Sequence, residues 1–282
     1  MSGFSAEWLA LREPYDGRAR NREVLEAVAA AVVGKAVGVV DLACGIGSTL
    51  RAIAPHLPAR QDWRLVDNDL SLLARAASGK AIPGIAVTRI PVDLARDLEA
   101  ALDGPVNLVT ASALLDLVSA EWLDRLVVEV AARRLPFYAA LTYDGRVTFD
   151  PVDPLDAAVI AGVNLHQQTD KGFGPALGPR AADAAIARFE AADYRVVHGR
   201  SDWRLSPRDH IQRDMLAGWA GAAREIGALS LPDAAAWLTR RRDLLAAGRS
   251  TITVGHVDIF ARPIGTRAAE RSQSKSMSSP SG

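Results

Sequence analysis

Two rhythms of apolar residues alternate over the first 145 positions. Short runs rich in β-branched residues at 37–42, 63–67, 85–90, 106–111 and 137–143 predict strands. Between them apolar residues recur every three or four positions, which predicts helices. One is 18–33, with Val24, Leu25, Val28, Ala31 and Val32 on one side and Arg18, Arg20, Arg22 and Glu23 on the other. Others are 50–56, 70–77, a segment reaching 102, and 120–134, and a short helix at 5–12 is predicted to break at Pro14. Strands alternating with helices imply βαβ units and a mostly parallel sheet.

Beyond Tyr143 the alternation loosens. Residues 145–180 contain four prolines, several glycines and one predicted helix near 155–165. Then come a helix at 181–192, a strand at 194–198, two helices within 207–248 split at Pro232, and a last strand at 251–261. That makes seven strands. Residues 265–282 hold six serines in the final 11 positions and almost nothing apolar, so they predict a disordered tail. The expected organisation is one domain over 1–264, with a cofactor core at 18–145 and substrate-side insertions at 146–180 and 200–248.

Composition narrows the function. The 282 residues are 49% hydrophobic and carry 33 cationic and 33 acidic side chains, a balance that argues against a dedicated nucleic-acid or membrane-surface binder. Cys44 is the only cysteine, which excludes an intrachain disulfide and a multi-cysteine metal site. The five histidines lack ligand spacing, so no metal is expected. The N-terminal stretch lacks the pattern of a signal peptide, and no apolar run approaches the roughly 20 residues of a membrane span. A cytoplasmic protein acting on a small molecule is the expectation; the oligomeric state is open.

The most informative feature is a strand that ends in Asp41 and runs into Gly45-Ile46-Gly47 at a helix start. Glycine permits positive φ and close approach of a ligand to the main chain. A helix N-terminus offers free N–H groups and partial positive charge to a carboxylate or phosphate. Asp67, at the end of the next strand and 20 residues past Gly47, is spaced to accept from both hydroxyls of a ribose. A dinucleotide site needs a third small residue where this chain has Leu50, so a nicotinamide cofactor fits poorly.

The stretch VVDLACGIGSTLRAI resembles the first motif of class I S-adenosylmethionine-dependent methyltransferases, with Ala43 replacing the first of three glycines. LVDNDLSLLARA, PVDLA and NLVTASALLDLVS resemble the family's next three motifs, in order. The resemblance implies an α/β, Rossmann-like, doubly wound fold with helical insertions, and S-adenosylmethionine as cofactor. Asp41, Ala43, Cys44, Gly45 and Gly47 form the loop at its amino-acid end. Asp67 holds the ribose and Asn68 lies beside the adenine. Asp93 takes the adenine amino group, Leu94 supplies a backbone N–H, Ala111 and Ser112 line the cofactor, and Asp116 faces the substrate. Asp116 fits a helix-entry acid equally well. Cys44 reads as a small buried apolar side chain.

Substrate contacts are expected from outside the five-strand core, at Tyr143, His166, Lys171, Trp203 and His210, with residues 170–175 forming a mobile lid. Arg18 and Arg20 fit either a cover for the cofactor carboxylate or, more simply, a solvated charged face. The turn after the fourth strand, Thr110-Ala111-Ser112-Ala113, lacks the Pro-Pro-aromatic element that holds a flipped base, so methylation of nucleobase amino groups is disfavoured. The expected activity is methyl transfer to O or N of a small molecule. A nicotinamide-dependent oxidoreductase and a non-catalytic cofactor-binding module are the alternatives.

Overall fold

A strand covered by helices on both sides must be apolar on both faces. Strand β1 (Ala36–Leu42) meets that condition, with Val37, Val39, Val40 and Leu42 all buried. The computed structural model describes residues 4–76 and 82–265, so the predicted tail beyond Gly265 lies outside the described residues. Parallel to β1 run β2 (Arg60–Asp67) on one side and β4 (Leu108–Ser112) on the other. Strand β3 (Ile85–Pro91) pairs parallel with β2 at the sheet edge, and β5 (Phe137–Asp150) pairs parallel with β4. Strand β8 (Thr251–Pro263) is antiparallel to β5 and to β6 (Tyr194–Arg200), giving the order β3-β2-β1-β4-β5-β8-β6. An eighth strand, β7 (Trp203–Leu205), pairs with β8. The expectation of seven strands missed it because three residues are too few to display an alternation.

Helices α2 (Arg22–Ala31), α3 (Ser48–Ile53) and α4 (Leu70–Ala76) cover one face of the sheet, around Val39, Trp63, Leu65 and Tyr138. Helices α5 (Leu98–Ala101), α6 (Ala120–Ala132) and α8 (Ala181–Ala191) cover the other, around Val40, Leu42, Val66 and Phe137. A third apolar cluster sits on the long outer halves of β5 and β8. There α7 (Asp156–Gln167), α9 (Ile211–Glu225) and α10 (Leu231–Ala246) pack around Phe149, Trp203 and Trp237. At its centre the fully buried Arg241 pairs with Asp156 and lies over the Phe149 ring. No helix among the described residues is long and apolar enough to cross a membrane.

Two boundaries differ from the sequence reading. Helix α1 (Ala6–Ala19) runs through Pro14, and the chain breaks instead at Arg20–Asn21. An internal proline costs roughly 3 kcal/mol. Packing of Trp8, Leu11 and Tyr15 into the third cluster offsets that cost, while Asn21 caps α2 by accepting from Val24 N at 3.1 Å. Strand β5 runs past Tyr143 to Asp150 because irregularities near Leu141 (φ +56°) and Gly145 (φ +83°) shift its register on β8 without ending the pairing.

Candidate functional site

The strand order reverses between β1 and β4, and a crevice opens beyond the carboxyl ends of such strands. The residues after β1 turn sharply there. Ala43, Gly45 and Gly47 all have positive φ (50°, 53° and 80°), and Gly47 starts α3. A Cβ on Gly47 would lie 3.3 Å from the Ala76 carbonyl oxygen. Alanine at 43 adopts the left-handed conformation that the missing glycine would take freely.

Asp67, at the end of β2, is buried and fixes this turn. Its Oδ2 accepts from Gly45 N at 2.9 Å and its Oδ1 from Asp69 N at 3.0 Å. Asn68 beside it is exposed. Cys44 N donates to the Val66 carbonyl, and burial pushes the Cys44 thiol up, which suits packing and not nucleophilic chemistry.

Asp41 is fully buried at the end of β1. Its Oδ1 accepts from Thr110 Oγ1 at 2.8 Å, and its Oδ2 has no partner. Burial raises its carboxyl to about 7, against the pull of Thr110, of the Arg20 charge and of the nearby Thr49 hydroxyl. Arg20 therefore does not belong to a solvated face. It is 8% exposed, and donates to Tyr138 Oη at 3.1 Å and to Ser112 Oγ at 3.4 Å, while its Nε has no partner. Arg20 and Ser48 also line a cavity of about 430 Å³ between α1 and α3. Arg18, in contrast, is exposed and lies over the Tyr15 ring.

Further along the crevice, Ala111 is buried in β4. Asp93 is half-buried and already engaged, accepting from Ala95 N at 3.0 Å and pairing with Arg96 at 3.5 Å. Leu94 is buried, its carbonyl accepting from the Trp122 indole.

Beneath α1 lies a second group of polar side chains. Asp116, in a short 3-10 turn after β4, is 5% exposed, and its Oδ1 has no partner. Burial raises its carboxyl to about 6, and the Arg12 guanidinium pulls in the opposite direction. His256 on β8 is buried with Nδ1 unpartnered, and burial pushes its imidazole down to about 3. The Tyr143 and Trp203 rings lie 6.1 and 5.3 Å from that imidazole. Trp203 donates to Asp16 at 3.0 Å, and Asp16 also accepts from Arg12 at 2.8 Å. Tyr143 donates to Asn164 Oδ1 at 2.7 Å.

Of the five substrate-side residues expected from sequence, Tyr143 and Trp203 thus meet at His256. His166 and Lys171 contact each other at 3.3 Å, and His166 faces Glu225, also at 3.3 Å. His210 is exposed at the start of α9. In the segment expected to form a lid, Phe173 packs edge-on against Trp122, and Asp170 accepts from Gly172 N and Gly174 N. Arg12 and His256 escaped the sequence reading, and Arg20 entered it with a solvated face as the simpler alternative. The available signal was a histidine among the apolar residues of the last strand, and arginines whose helix packs on the sheet.

No family model matches the chain, and no curated protein matches it in sequence. Solved structures do. A cyclopropane-fatty-acyl-phospholipid synthase-like protein from Lactobacillus casei is 13% identical with a TM-score of 0.51, the match covering 88% of this chain and 98% of that one. The YcgJ protein of Bacillus subtilis is 13% identical, covers 87% and 100%, and scores 0.49. A SAM-dependent methyltransferase from Thiobacillus denitrificans, in complex with S-adenosyl-L-homocysteine, is 16% identical, covers 92% and 99%, and scores 0.43. At these identities the likeness is one of fold.

Proposed function

We propose that this chain, whose fold is that of class I S-adenosylmethionine-dependent methyltransferases, transfers a methyl group from S-adenosylmethionine to oxygen or nitrogen of a small-molecule acceptor. The observation that carries the reading is a pair of open valences beside the glycine turn. Asp41 Oδ2 and Arg20 Nε are both buried and without a hydrogen-bond partner. Groups of this kind are costly to bury unless something completes them. The ammonium and carboxylate of an amino-acid end do so together, the ammonium to Asp41 and the carboxylate to Arg20. Asp67, held by two backbone amides, keeps acceptor capacity for the ribose hydroxyls. Asn68, Asp93 and Leu94 take the adenine, and Ala111 and Ser112 line the cofactor beside the Gly45–Gly47 turn. The buried Leu50 disfavours the pyrophosphate of a nicotinamide cofactor.

When bound, the cofactor supplies an electrophilic methyl on a sulfonium that leaves as a neutral thioether. The chain's task is then to orient the acceptor and exclude water. Asp116 accepts the acceptor's proton at Oδ1. A carboxyl held near 6 is well matched to that role at neutral pH. Tyr143, Trp203 and α1 close the site against solvent. The uncharged His256 offers Nδ1 to the acceptor as a hydrogen-bonding partner.

The test is incubation of the purified protein and methyl-labelled cofactor with a metabolite extract, followed by mass spectrometry. The reading predicts at least one metabolite that gains a labelled methyl group, formed at least about a hundredfold more slowly with Asp116→Asn. Cofactor binding without any labelled product would favour the non-catalytic module.

A further inference from the structure

We propose that the cleft between the last turn of α1, the end of β6 and β7 binds a phosphate-bearing small molecule. The inference stands whether or not the chain transfers methyl groups. The cleft has a volume of about 470 Å³, and Arg18, Arg200 and Arg204 line it together with Tyr15, Asp202 and Trp203. That volume suits a small ligand. The three guanidinium groups come from three different elements, and among the described residues none of them forms a salt bridge.

The nearby acids are already committed. Asp202 pairs with Arg146 at 2.8 Å and accepts from His256 N at 3.3 Å. Asp209, which faces Tyr15, accepts from Ser206 N and Oγ at 2.6 and 2.8 Å. Three like charges around one cleft, none of them in an ion pair and with the nearby carboxylates engaged by other groups, form a local positive field in a chain with no net charge.

All three arginines are exposed, and the strand backbone that carries two of them is tied down. The Arg200 carbonyl accepts from Asn21 Nδ2 at 3.0 Å, which ties the end of β6 to the cap of α2. Arg204 sits in the β7–β8 ladder opposite Thr253. The Arg18 guanidinium lies 4.7 Å above the Tyr15 ring centroid. Guanidinium forks match phosphate oxygens two at a time. One carboxylate leaves part of such a trio unanswered; a phosphate does not. Tyr15 and Trp203 give the cleft an aromatic wall for the rest of the molecule.

The experiment titrates the full-length protein, without cofactor, with inorganic phosphate and separately with pyrophosphate, chloride holding the ionic strength constant. Calorimetry reads binding and tryptophan fluorescence reports on the cleft. Saturable binding is expected, weakened about tenfold or more by Arg18→Gln and by Arg204→Gln, corresponding to ~1.4 kcal/mol or more. Arg204→Lys should recover part of the loss. Pyrophosphate binding more tightly than phosphate assigns the site to a diphosphate, and the reverse order to a phosphomonoester. No saturable signal beyond the chloride control, or equal binding by the folded Gln variants, would overturn the proposal and leave three solvated arginines.

Discussion

Asp116 carries a rate prediction with a definite sign. Its carboxyl is raised to about 6, so it is ionised and able to take a proton only above that value. Under saturating cofactor, kcat should rise with pH through about 6 and level off. Asp116→Asn should abolish that limb and lower kcat by roughly 10²–10⁴-fold. His256 makes a prediction about stability. Its folded value, about 3, lies below the ordinary 6.5, so the folded imidazole stays neutral while the unfolded one takes up a proton. Stability from this group is full above about 6.5 and is lost as pH falls toward 3, with a slope approaching about 1.4 kcal/mol per pH unit. Denaturant titrations from neutral to acidic pH should show wild type losing stability relative to His256→Gln. Parallel profiles would remove His256 from the account. At this scale Asp41, Asp67 and the glycines were legible, because a strand-end acid and a Gly turn are local patterns. His256 was not, and Arg20 was legible only as one of two readings, since burial of a charged or polar side chain depends on which distant elements cover it.

Among the elements, the 170–175 loop carries two glycines and a proline around Lys171, together with one aromatic contact to α6 and two amides closing on Asp170. Phe173→Ala should increase hydrogen exchange across this loop while leaving the sheet amides protected; an unchanged exchange rate would mean that Phe173 is not the anchor. The start of α2 offers a similar test. Asn21 caps the helix and holds the Arg200 carbonyl. Asn21→Ala should cost about 1 kcal/mol from the cap alone, read as a lower midpoint in thermal unfolding. Strand β5 was legible only to Tyr143, because its continuation depends on irregular pairing with β8, more than 100 residues away in sequence.

For the whole molecule, alternating periodicities were enough to specify a mostly parallel sheet clothed on both faces. They did not reveal the third cluster, where α7, α9 and α10 close over β5 and β8 around a buried ion pair. Asp156→Ala leaves Arg241 charged and buried, and should destabilise the protein by about 3–5 kcal/mol. Denaturant unfolding measures that loss, and a change below about 1 kcal/mol would show that Arg241 finds another partner. The same sheet sets the crevice at the β1/β4 reversal, with Asp67 bound to the glycine turn.

Calorimetric titration with S-adenosylmethionine tests that arrangement most directly, in wild type and in an Asp67→Ala variant shown to be folded. The account predicts one saturable site in wild type and a loss of at least about tenfold in the variant, corresponding to ~1.4 kcal/mol. No binding by wild type at millimolar cofactor, or equal affinity in the two proteins, would contradict it.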